Sequence, residues 1–169
     1  MDDTQPTELS VASVLELLAK GDLDVQGMLP WSSNYTLLAT VRNDGLQGLA
    51  VYKPRRGERP LWDFPRGTLC QREVAAYLLS EALGWSLVPP TILRDGPYGI
   101  GSVQLFIDAQ EDAHLFTIQQ EGSYEQELER LAVFDVLANN ADRKSGHCLK
   151  GADRRLWAID HGLTQASTS

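Results

Sequence analysis

The chain has 169 residues, of which 43% are hydrophobic, enough to bury a sizeable core as one compact domain or two small lobes. Fifteen basic side chains against twenty-three acidic ones give a net charge of −8, which argues against a nonspecific nucleic-acid binder or a surface drawn to anionic lipid. No apolar run approaches the roughly 18 residues that span a bilayer. The start MDDTQPTE also lacks the basic-then-apolar pattern of a secretory leader, so a cytoplasmic protein is expected.

In chain order, Thr7 to Lys20 carries apolar residues at Val11, Val14, Leu15 and Leu18 and is followed by Gly21, which predicts an amphipathic helix ended by glycine. Leu23, Val25 and Gly27 to Leu29 alternate as a strand would. After the polar loop WSSN, the β-rich runs Tyr35–Arg42 and Leu46–Lys53 are separated by Asn-Asp-Gly, a strong hairpin signal. Alternation puts Leu49, Val51 and Lys53 on one face of the second hairpin strand, so an ammonium leaves from an apolar side and needs either a partner or a cleft edge. PRRGERPLWDFPRG is too punctuated for a regular element and predicts a loop, whose Arg55, Arg56 and Arg59 either meet anions or stay solvated. Gln71 to Leu83, stopped by Gly84, predicts a helix with Val74, Leu78 and Ala82 inward and Glu73 available to Lys53.

Val88-Pro89-Pro90-Thr91 opens an extended run broken at Asp95-Gly96-Pro97, and Gly101 to Ile107 resumes as an apolar strand, which together predict a second hairpin. Residues 108–122 are polar and weakly patterned, as a linker or insert would be. Ser123 with Gln126 forms a capping-box signal, and Leu128, Leu131, Phe134 and Leu137 fall on one helical stripe. Cys148-Leu149 and Leu156–Ile159 flank Gly151-Ala152-Asp153 as a small hairpin. Cys70 and Cys148 have no C-x-x-C spacing and are expected to be free thiols.

The chemistry concentrates in FDVLANNADRKSGH and in IDHG. Together they supply Asp142 followed by basic residues, a metal-capable imidazole at His147, and a second carboxylate, Asp160, in a glycine-containing turn. Phosphoryl transfer asks for such groups, because it depends on positioning and charge neutralisation more than on covalent help from the protein. FDVLANNADRK resembles the catalytic loop of atypical kinases, including the type II phosphatidylinositol 4-kinases, the HipA-like kinases and the secretory-pathway kinases; IDHGLT resembles their metal-binding turn. The ordered set VYKP, RGERPLWDFP, REVAAY, VPPT and DHG is similar to that of the bacterial phosphatidylinositol 3-/4-kinase-like group, from about Gly21 to Leu163.

That resemblance implies an α+β, protein-kinase-like fold of two lobes. Residues 1–107 would form an N-lobe with an antiparallel sheet and a helix, and 123–169 a reduced or truncated helical C-lobe. It implies ATP as cofactor, with Lys53 on its phosphates and Glu73 orienting Lys53. Ser32, Ser33 and Asn34 would form a phosphate cradle, equally readable as an ordinary hairpin loop, and Gln104, Phe106 and Ile107 would lie at the adenine hinge. Asp142 and Lys144 would be catalytic, and Asp160 and His147 would hold Mg²⁺ or Mn²⁺. His147 and Lys144 depart from the usual Asn and His, and an imidazole ligand favours the softer Mn²⁺ over Mg²⁺. The acceptor is open among protein, lipid and small molecule, and a nucleotide-binding module without turnover is the alternative.

Overall fold

A helix and an antiparallel hairpin open the part of the chain that this computed structural model describes, namely residues 9–29, 36–57, 69–107, 124–137, 148–150 and 156–159, with 148–150 as backbone alone. Helix α1 (Val11–Lys20) begins where the Ser10 side chain accepts the Ser13 N–H at 3.2 Å, satisfying one of the donors that a helix start leaves over. It ends at Gly21, whose N–H donates to Leu17 O at 2.8 Å. The Arg94 guanidinium donates to Leu18 O at 2.9 Å and Gly21 O at 2.7 Å, so the carbonyl end of α1 is tied to the sheet it covers.

Five strands form one antiparallel sheet in the order β1-β2-β3-β5-β4: β1 (Asp22–Met28), β2 (Leu37–Asn43), β3 (Leu46–Pro54), β4 (Thr91–Arg94) and β5 (Gly101–Leu105). The predicted hairpin is present. Asn43 pairs with Leu46, and Asp44 and Gly45 between them take φ of 48° and 80°, the left-handed pair that a two-residue turn of matching twist requires. A 3-10 turn at Arg55–Gly57 leaves β3, and helix α2 (Leu69–Ala82) follows. The β4–β5 turn is held against β3 by Tyr52, whose hydroxyl donates to Gly99 O and accepts the Tyr98 N–H at 3.3 Å. Burial pushes the Tyr52 phenol above its ordinary pKa, opposed by that Tyr98 N–H. Where β5 starts, a Cβ on Gly101 would collide with Lys53 O, so only glycine lets the two backbones pair there.

Alternation along β3 decides what each side of the sheet becomes. Ala50 and Tyr52 point into a core built from Leu37, Ala39, Val41 and Val103, roofed by Leu17 and Leu18 of α1. Leu49, Val51 and Lys53 lie on the opposite face, which is the side α2 approaches. A second cluster joins Ala76 and Tyr77 of α2 to Leu87, Val88 and Phe134 of helix α3 (Glu125–Leu137). A third packs Leu131 against Leu156 and Ala158 of the small hairpin β6 (Cys148–Lys150) and β7 (Leu156–Ala158). The Ala158 N–H donates to Leu87 O at 2.8 Å, so this hairpin is attached to the segment leading into β4.

The fold is therefore α+β, as expected, with an antiparallel sheet, a helix carrying the partner of a β3 lysine, and a helix and hairpin beyond. Two helix faces differ from their sequence reading. The inward residues of α2 are Leu69, Cys70, Glu73, Ala76, Tyr77 and Ser80, whereas Leu78 is 59% exposed and Ala82 is also exposed. Polar Glu73 and Ser80 can be buried because both have partners: Ser80 Oγ accepts the N–H groups of Leu87 at 2.7 Å and Val88 at 3.3 Å. In α3, Leu131 and Phe134 are buried but Leu137 is 56% exposed. Cys70 is buried and forms no disulfide among the described residues. Among the described residues no helix is long and apolar enough to cross a membrane.

Candidate functional site

Lys53 is the penultimate residue of β3, on the face left open by α1, and Glu73 sits one turn into α2. Their side chains meet at 3.0 Å from Nζ to Oε1, across 20 residues of sequence. Twenty percent of the Lys53 side chain is exposed against 6% of Glu73, so the carboxylate is inside and the ammonium lies at the mouth. Such a charge-assisted bond is stronger than a neutral one, but it is partly repaid in desolvation. What it does securely is fix a cation at one point of the open face. An ammonium held this way can receive an anion in front of it while the carboxylate behind keeps it aimed.

The surface beside Lys53 is set by cross-strand register. Leu38 of β2 faces Val51, Val51 faces Gln104, and Gln104 faces Thr91, a row crossing four strands on the Lys53 side of the sheet. Leu38 and Val51 are half-buried and give a flat apolar patch, while Leu49, next along β3, is 43% exposed. Ser102, opposite Lys53, is buried. An apolar patch next to a fixed cation suits a molecule with a flat ring at one end and negative charge at the other.

Of the residues singled out from sequence, Lys53, Glu73 and Gln104 share this face. Gln104 lies within β5, not beyond it, and its side chain is buried, so it is part of the site wall; the strand ends one residue later. At the expected hinge, the Leu105 N–H donates to Pro90 O at 2.9 Å and the Phe106 N–H to Leu49 O at 3.0 Å. Phe106 thus spends its N–H on extending the sheet, whereas no described residue takes the N–H of Ile107. Ser32, Ser33, Asn34, Asp142, Lys144, His147 and Asp160 lie outside the described residues. Among the described residues no group of three or more His, Cys, Asp or Glu is arranged to hold a metal ion. Arg56, one of the basic loop residues, stacks over the Tyr98 ring at 5.5 Å. The sequence reading did not single out Thr91 or the Leu38–Val51 patch. Period-two alternation from Lys53, carried across strands, is the signal that finds the patch.

No protein-family model matches the chain. It is 44% identical to Protein Rv2133c of Mycobacterium tuberculosis (strain ATCC 25618 / H37Rv), over 87% of this chain and 65% of that protein. It is 30% identical to phosphatidylinositol 4-kinase gamma 4 of Oryza sativa subsp. japonica, over 71% of this chain and 27% of the kinase. Phosphatidylinositol 4-kinase gamma 2 of Arabidopsis thaliana is 31% identical over 79% of this chain and 28% of its own length. The chain thus spans just under two thirds of the mycobacterial protein and little more than a quarter of either plant kinase.

Proposed function

We propose that the chain binds ATP and transfers a phosphoryl group to a hydroxyl acceptor, as an atypical kinase of the phosphatidylinositol 3-/4-kinase-like group. The observation that carries this reading is the Lys53–Glu73 pair beside an apolar strip on the open face of the sheet; the similarity to plant phosphatidylinositol 4-kinases supports it. Lys53 holds the α- and β-phosphates and Glu73 keeps it aimed. The ring lies on Leu38 and Val51, with the Ile107 N–H at its edge and Ser32, Ser33 and Asn34 over the phosphates.

Residues 1–107 act as the nucleotide-holding lobe, 108–122 as a connection, and 123–169 as the lobe that supplies the catalytic and metal loops. Asp142 orients the acceptor hydroxyl and takes its proton as the new O–P bond forms and the bond to the departing ADP oxygen breaks. Arg143 and Lys144 stabilise charge on the transferring group. His147 and Asp160 hold Mg²⁺ or Mn²⁺, which would neutralise the phosphate oxygens. The acceptor is a hydroxyl on a protein, lipid or small molecule, and a cytoplasmic setting suits the ATP requirement.

Thermal denaturation with ATP and Mn²⁺ tests this directly. At a nucleotide concentration about a hundredfold above Kd, linkage adds about 2.7 kcal/mol, which for a chain of this size raises Tm by roughly 5–10 °C. No shift with either metal would remove the nucleotide site, leaving a domain whose charges only form ion pairs. A shift without phosphate transfer would leave a nucleotide-binding module without turnover.

A further inference from the structure

Gln104 is 8% exposed, and its carboxamide has a chemically determined orientation. The Thr91 hydroxyl has a single hydrogen to give and gives it to Pro89 O at 2.8 Å. Towards Gln104 that hydroxyl can therefore only accept, and Gln104 must present its NH₂ group, which donates from Nε2 at 2.8 Å. The carboxamide cannot turn over without placing two acceptors against each other. Its oxygen, Oε1, is consequently directed away from Thr91, and it has no partner among the described residues. A buried carboxamide with one half fixed and the other half unmatched is uncommon, because an unpaired buried acceptor is costly.

Register gives the neighbours of Gln104 across the sheet. Gln104 directly opposes Val51 on the face that carries Lys53, and Val51 opposes Leu38. Residues facing each other across antiparallel strands have Cβ atoms about 5 Å apart. A ring lying over Leu38 and Val51 therefore has one edge at Gln104, and its phosphates reach Lys53, two residues further along β3.

We propose that Gln104 is a specificity-determining residue: Oε1 accepts a hydrogen bond from the exocyclic amino group of adenine, and Thr91, by fixing the carboxamide, is the positioning residue that makes this end an acceptor. The inference rests on the nucleotide reading above and adds the base to it. A purine with a carbonyl at the same place would set oxygen against oxygen, so the site selects an amino-purine by charge and not by shape.

The test compares affinities of the full chain for ATP and for purine riboside triphosphate, which differs from ATP only in lacking the 6-amino group. Wild type is expected to prefer ATP. Gln104→Met, similar in volume but without the acceptor, should reduce that preference about tenfold, the share of one neutral hydrogen bond. Thr91→Val, which frees the carboxamide to turn, should reduce it severalfold. Should Gln104→Met lose its fold by circular dichroism, the near-isosteric Thr91→Val decides by the same ratio. An unchanged preference in the folded variants overturns the role of Gln104 while leaving nucleotide binding intact. Failure of wild type to bind either triphosphate overturns the nucleotide reading, and this inference with it.

Discussion

Asp142→Asn is expected to lower kcat for phosphoryl transfer by about a thousandfold, with the KM for ATP nearly unchanged. The side chains have the same shape, and the carboxamide can still contact the acceptor hydroxyl. It cannot take the proton, however, and its neutral dipole aligns the nucleophile less firmly than a carboxylate. Because Asp142 is proposed to act on the acceptor and not on the nucleotide, the effect should fall on the chemical step; the thermal shift with ATP and Mn²⁺ should survive. Steady-state kinetics beside a nucleotide titration would show this split. A variant that keeps full turnover would remove Asp142 from the mechanism, and one that loses ATP binding would make it part of the nucleotide site.

The largest effect on stability is expected at Phe134. Its side chain is fully buried and joins α3 to Ala76 and Tyr77 of α2 and to Leu87 and Val88 before β4. Truncation to alanine removes the apolar transfer gain and leaves a cavity between elements that meet there, at a cost of about 3–5 kcal/mol. Domains of this kind have only about 5–15 kcal/mol in total, so the denaturant midpoint should fall by roughly a fifth or more. Val136, two residues on and 80% exposed, is the control: Val136→Ala should stay within about 0.5 kcal/mol. A Phe134→Ala loss below about 1 kcal/mol would mean that α3 does not pack as described.

Much of the sheet was legible in the sequence because its signals are local. Asn43-Asp44-Gly45 demands left-handed backbone, and the hairpin formed at that point. Two-residue alternation put Lys53 on one face of β3 with Leu49 and Val51, and the register bears this out, with the core of Ala50 and Tyr52 on the other side. The Lys53–Glu73 pair was legible from the need of an ammonium on an apolar face for a partner and from the kinase resemblance, since nothing in the nineteen intervening residues says that α2 folds back over β3. The faces of α2 and α3 were harder. Hydrophobic periodicity assumes that apolar means inside, but the buried side of α2 includes Glu73 and Ser80, which are satisfied by Lys53 and by the Leu87 and Val88 amides. Apolar Leu78 is correspondingly left outward. Gln104 illustrates the same limit, because its orientation depends on a Thr91 hydroxyl from another strand and on where that hydroxyl spends its proton.

If the Lys53–Glu73 pair is the phosphate-holding element of a nucleotide site, a double-mutant cycle on ATP affinity will reveal it. Calorimetric titration of wild type, Lys53→Met, Glu73→Gln and the double variant with ATP and Mn²⁺ gives the four affinities. Removing a charge-assisted contact of about 1.5–3 kcal/mol should weaken binding roughly 10- to 100-fold in Lys53→Met. Glu73→Gln should also weaken it, and the double variant should bind no worse than Lys53→Met, because Glu73 acts through Lys53. Equal ATP affinity in all four proteins would reduce the pair to a structural contact between helix and sheet.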